Sequence, residues 1–152
     1  MNNERRSLLK AAGAVTAVLV AGLLKPLTAL AAWNKEAFGA KTPAAAMKGI
    51  GVADAAPSKD LVIDAPEIAE NGAVVPIEIA SAIAGTRSIA VLVDKNPFPL
   101  VGRFDFSGGA LPFVKLNVKI GETSDVRVIA EAGGKHYVAT KNIKVTIGGC
   151  GG

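Results

Sequence analysis

Val114-Lys115-Leu116-Asn117-Val118-Lys119-Ile120 decides the fold. Apolar and polar side chains alternate without a break, and a period of two sends them to opposite faces of an extended strand. The stretch therefore predicts a strand with one face buried and the other in water. The same pattern recurs on both sides of it. Downstream, Val126, Val128 and Ala130 alternate beside Arg127 and Glu131. Gly133-Gly134 reads as a hairpin turn, after which the chain returns through Tyr137 to Ile143, Val145 and Ile147. Upstream, Ser107-Gly108-Gly109 turns the chain out of a strand over residues 101–106, with Phe104 and Phe106 on one face and Arg103 and Asp105 on the other.

Asn96-Pro97-Phe98-Pro99 is too rich in proline to continue a ladder. Before it, residues 87–93 form a nearly continuous apolar run, suited to the middle of a sheet. Leu61-Val62-Ile63 is a short strand stopped by Asp64-Ala65-Pro66, and Asn71-Gly72 is a turn signal. Residues 73–79 come next, with Val75, Ile77 and Ile79 on one face. Pro76 cannot donate a ladder hydrogen bond, which predicts an edge strand or a bulge there. About seven short strands with frequent turns indicate an all-β protein, a two-sheet sandwich of immunoglobulin-like type. The helical exception is residues 33–51. Asn34 caps a first turn, and Thr42-Pro43 supplies an N-cap with proline at the first helical position. Gly49 and Gly51 end it, and Trp33, Phe38, Met47 and Ile50 are the expected packing residues.

The two ends of the chain differ from this middle. Glu4-Arg5-Arg6-Ser7-Leu8-Leu9-Lys10 precedes an apolar run over residues 11–24, followed by Ala29-Leu30-Ala31. Twin arginines, a run too short for the ~20 residues of a membrane span, and small residues at a peptidase site resemble a twin-arginine export signal. Residues 1–31 are read as that signal, cleaved after Ala31, with export to the periplasm. Its removal takes four of the 17 basic and one of the 13 acidic residues, leaving 13 and 12 and a net charge of +1. The mature chain has no Lys/Arg run, so a nucleic-acid surface has no electrostatic support.

Residues 32–147 then form the sandwich domain, and residues 148–152 read Gly-Gly-Cys-Gly-Gly. Cys150 is the single cysteine. An unpaired cysteine in an oxidising compartment points to intermolecular pairing or to a reactive thiol. Gly148, Gly149, Gly151 and Gly152 add no Cβ and leave the backbone free, so the segment suits a slender, flexible arm able to enter a narrow channel. From Ile147 to Cys150 the chain reaches roughly 10 Å. No cation or helix N-terminus adjoins the thiol in sequence to activate it. His136 is the single histidine, after the glycine turn, and pairing it with Cys150 as base and nucleophile would need geometry that a glycine arm does not hold. One cysteine and one histidine do not make a zinc site of ordinary ligand count. No catalytic centre and no cofactor is read from the chain. The competing readings are an exported structural or adhesive sandwich that dimerises through Cys150, and a ubiquitin-like sulfur carrier charged at Gly152. The second needs ATP-dependent adenylation and a central helix that the strand pattern lacks.

Several stretches together resemble the SoxY family, the sulfur-carrier subunit of the periplasmic Sox sulfur-oxidation system. They are residues 33–38 (Trp-Asn-Lys-Glu-Ala-Phe), residues 65–76 (Ala-Pro-Glu-Ile-Ala-Glu-Asn-Gly-Ala-Val-Val-Pro), Lys95-Asn96-Pro97, residues 119–127 (Lys-Ile-Gly-Glu-Thr-Ser-Asp-Val-Arg) and the ending from Val145 to Gly152. The resemblance implies that Cys150 holds the substrate covalently and that the four glycines form a swinging arm. It implies a heterodimer with SoxZ, a second small β-sandwich protein. It further implies transient docking to a c-type haem enzyme that couples thiosulfate to the cysteine, to a sulfate-releasing manganese hydrolase and to a sulfane dehydrogenase. Haem and metal belong to those partners.

Overall fold

A computed structural model describes residues 33–146. Two short helices, α1 (Lys35–Gly39) and α2 (Pro43–Gly49), precede nine strands: β1 (Ala56–Pro57), β2 (Leu61–Asp64), β3 (Ile68–Ala69), β4 (Val75–Ser81), β5 (Thr86–Val93), β6 (Leu100–Asp105), β7 (Phe113–Val118), β8 (Ser124–Ala132) and β9 (Lys135–Val145). Seven of these are longer than two residues, and they are the seven strands that periodicity predicts. No described helix is long and apolar enough to cross a membrane.

The strands make two sheets. The larger runs β1-β9-β8-β5-β6, with β3 also on β9, and the smaller runs β2-β4-β7. Alternation explains how they meet. Ile89, Val91 and Val93 of β5 and Val126, Val128 and Ala130 of β8 share a core with Val75, Ile77 and Ile79 of β4 and Val114 and Val118 of β7. Each large aliphatic side chain buried there contributes roughly 1.5–3 kcal/mol. The other residues of β5, Ala90 and Leu92, join Leu100 and Ile129 in a second cluster against Ala37 and Ala46 of the helices. Strand β5 is thus covered on both faces, the physical reason for its continuous apolar run.

The helices begin where the sequence signals place them. Asn34 Oδ1 accepts from the Ala37 amide at 3.0 Å and Thr42 Oγ1 from the Ala45 amide at 3.2 Å, with Pro43 at the start of α2. Gly49 lets α2 touch α1: a Cβ there would stand 2.7 Å from the Ala37 Cα. Phe38, Met47 and Ile50 pack on the helix-side cluster as expected. Trp33, in contrast, is 65% exposed, and the small Ala37 and Ala46 are fully buried.

Pro76 also corrects an expectation. Strand β4 is neither an edge strand nor bulged, since it pairs with β7 from Val75 to Ala80 without a shift and with β2 on its other side. The β2 ladder ends at Asp64, opposite Glu78. The Ser81 amide points to β7, where it bonds Pro112 O. By alternation the Pro76 nitrogen faces the other way, beyond the end of the β2 ladder, so no ladder bond is lost there.

Candidate functional site

Cys150 and Gly148, Gly149, Gly151 and Gly152 lie outside the described residues. The described chain ends at Thr146, one residue past β9, so the root of the glycine segment is defined. Strand β9 outruns β8. Its last partner there is Ser124, opposite Ile143, and Val145 and Thr146 need other acceptors for their amides. On the outer edge these come from β3, which lies parallel to β9 with Ile68 opposite Lys144 and Ala69 opposite Val145. The Lys144 amide donates to Glu67 O at 2.9 Å and the Thr146 amide to Ala69 O at 3.2 Å. On the inner edge the Val145 amide donates to Thr123 Oγ1 at 3.0 Å.

A second layer of bonds supports these. Gly72 O accepts from the Ile120 amide at 2.7 Å, bringing the chain after β3 onto the end of β7. The approach is close enough that a Cβ on Gly72 would lie 2.3 Å from Ile120 O and 2.9 Å from Val145 Cγ1. Gly72 is not in a positive-φ conformation. The turn at Asn71-Gly72 forms as expected, with the Ala73 amide donating to Asn71 Oδ1, but close approach and not turn geometry demands the glycine. Asn96 spans the next gap, donating through Nδ2 to Lys119 O at 2.7 Å while its Oδ1 accepts from the Gly121 amide at 3.2 Å. Ser124, 1% exposed, accepts from the Lys95 amide. Arg127 grips Asp94 through Nη2 at 2.7 Å, and those bonds, strengthened by the Asp94 and Asp125 charges, hold the guanidinium pKa above its ordinary value.

His136 is placed far from this root. It is the second residue of β9, opposite Glu131, and half-buried. Ten residues of strand separate it from Thr146, about 33 Å at the ordinary rise per residue. Four residues from Thr146 to Cys150 reach at most roughly 14 Å, so His136 and Cys150 do not meet on one chain. Among the described residues no group of three His, Asp or Glu side chains is placed to hold a metal ion. A recess of about 270 Å³ beside the root is lined by Glu67, Ile68, Lys141, Asn142 and Lys144, of mixed charge. The described residues thus build a platform: a long, doubly paired strand that presents the segment beyond Thr146.

No curated protein matches the chain. Among solved structures, the sulfur carrier protein SoxY from Chlorobium limicola f. thiosulfatophilum is 38% identical with a TM-score of 0.61, covering 66% of this chain and 92% of its own. An engineered protein at 16% identity and a TM-score of 0.40, covering 60% of this chain and 21% of its own, is too slight a likeness to inform the fold. The family model of the sulfur oxidation protein SoxY matches residues 46–150, from α2 through the single cysteine, and the chain belongs to that family.

Proposed function

We propose that the protein is a covalent carrier of sulfur intermediates, with Cys150 as the attachment site and Gly148, Gly149, Gly151 and Gly152 as the arm. One observation carries the reading. Strand β9 is held on both edges up to Thr146, and the sole thiol comes four residues later among glycines. That combination fixes an origin and leaves a narrow lead, which suits a thiol delivered into other proteins' active sites. The family match, which runs to residue 150, supports it.

The loading step balances as an oxidation. The Cys150 thiol and a thiosulfate dianion form one S–S bond, giving a cysteine S-thiosulfonate, with loss of the thiol proton and transfer of two electrons to the c-type haem enzyme. Water then releases sulfate at a hydrolase and leaves a persulfide, whose outer sulfur a sulfane dehydrogenase oxidises. The chain itself supplies the sulfur nucleophile and its presentation. It acts in the periplasm after export by the twin-arginine route and pairs with a SoxZ-like β-sandwich subunit.

Intact-mass spectrometry after exposure to thiosulfate and the haem enzyme tests the reading. Wild type gains the adduct on the peptide containing Cys150, and Cys150→Ser gains none while its thermal unfolding is unchanged. Gly149→Val keeps the thiol but loads more slowly, because a β-branched side chain restricts the backbone and widens the lead. Disulfide dimers as the sole change in wild type would favour a structural role and end the carrier reading.

A further inference from the structure

Three of the sequence stretches that carry the resemblance to the SoxY family lie away from Cys150 in sequence: residues 65–76, Lys95-Asn96-Pro97 and residues 119–127. They lie apart in the chain, yet all three converge on the last two described residues before the arm. The first supplies the outer clamp, Glu67 O and Ala69 O, and the glycine contact at Gly72. The third supplies the inner clamp, Thr123 Oγ1. The second braces the third, since Asn96 bonds both Lys119 O and the Gly121 amide.

We propose that these stretches form the socket of the arm and that Thr123 is its positioning residue, setting the point at which the rigid strand stops. Strand β8 starts at Ser124, so no ladder carbonyl stands opposite Val145; the Thr123 hydroxyl takes that place. Because the acceptor is a side chain, β8 need not extend past Ser124 to bond the end of β9. Without the hydroxyl, the β9 end is held from the β3 side alone. The β3 bonds then open more often, and whenever they do the pivot moves back toward Ile143, adding up to three residues, or roughly 10 Å, to the free lead. A longer lead searches a larger volume and delivers the thiol to a given depth less often. The inference rests on the carrier reading for its purpose, but the clamp itself is testable without it.

The single cysteine allows a nitroxide spin label to be placed on Cys150 alone. Thr123→Val keeps the shape of this half-buried side chain and removes the acceptor. We expect faster label motion and about tenfold faster hydrogen exchange at the Val145 amide, as loss of one such bond implies. Thr123→Ser, which keeps the hydroxyl, restores both. In loading by the haem enzyme, Thr123→Val raises KM for the carrier with kcat nearly unchanged, and Thr123→Ser returns it to wild type. Unchanged label motion and unchanged Val145 exchange in a folded Thr123→Val protein would overturn the proposal. So would equal effects of Val and Ser. Failure of wild type to load at all would instead sink the carrier reading and leave the label and exchange results to decide the socket.

Discussion

The two ends of the sandwich are built by different means. At the end away from the arm, the turns between strands rest on local backbone geometry. Gly85, Gly108, Gly109, Gly133 and Gly134 all have positive φ, and the side-chain bonds within the turns are short-range, such as Ser81 to Thr86 and Thr86 Oγ1 to Ile83 O; the long-range bonds of Ser88 and Arg103 to Glu131 join strands and not turns. At the arm end none of the described glycines has positive φ. Four of its side-chain bonds cross 22 to 29 residues of sequence and join loop to loop or loop to strand: Val145 to Thr123, Asn96 to Lys119 and Gly121, Lys95 to Ser124. A local turn closes a hairpin and leaves its surroundings free to move. Bonds between distant segments tie several loops into one body. Side-chain ties between distant loops are therefore gathered at the end where β9 stops.

The largest effect that bears on this contrast is expected at Gly72. In Gly72→Ala the new Cβ meets the Ile120 carbonyl oxygen and Val145, and backbone on one side leaves little room to yield. Overpacking of this kind costs roughly 2–3 kcal/mol, and the β3 clamp on Lys144 and Thr146 should loosen with it. Urea denaturation measures the first, and hydrogen exchange at Thr146 the second. A Gly72→Ala protein as stable as wild type would mean the arm end is no more closely built than the other.

A smaller loss, about 1–2 kcal/mol, is expected for Asn96→Ala, since two bonds to backbone groups disappear and both partners regain some access to water. The accompanying sign is faster exchange at Gly121, with the Gly133-Gly134 hairpin unaffected. Equal loosening at both ends would erase the contrast, because it would show the sandwich responding as a whole and not through its arm-end bonds.

Much of the architecture was legible because it rests on period and punctuation. The alternation from Val114 to Ile120, the continuous run in β5 and the glycine pair at Gly133-Gly134 each predict what forms, and Gly133 and Gly134 take φ of 57° and 74° as such a turn demands. The caps at Asn34 and Thr42 are equally local. Strands β1 and β3 were not legible. Each is two residues long, too short for any period, and each exists because the open edge of β9 offers unpaired backbone groups. Pro76 misleads for a related reason, since whether its missing N–H matters depends on where a neighbouring strand stops. The proposed attachment site stands out in sequence as a lone cysteine among glycines, whereas its proposed socket does not. Thr123 is an ordinary polar residue between β7 and β8, and only the fold brings its hydroxyl to the Val145 amide.

The smallest effect belongs to the far end. Two glycines inserted between Gly108 and Gly109 lengthen the connection from β6 to β7, whose turn is closed by a backbone bond from the Ala110 amide to Ser107 O. Doubling a flexible loop costs only about 0.6 kcal/mol, so this shorter insertion should barely move the unfolding midpoint. It does disturb an open depression of about 490 Å³ lined in part by Arg87, Phe106, Ser107 and Pro112. On the proposed carrier reading, enzymes that receive Cys150 approach the end at which β9 stops, because roughly 14 Å of lead does not span the length of β9. The insertion should therefore leave the rate of thiosulfate loading unchanged. Loading that slows while stability holds would mean that a partner also grips the far end, and rigidity at the arm end alone would no longer explain how the thiol is aimed.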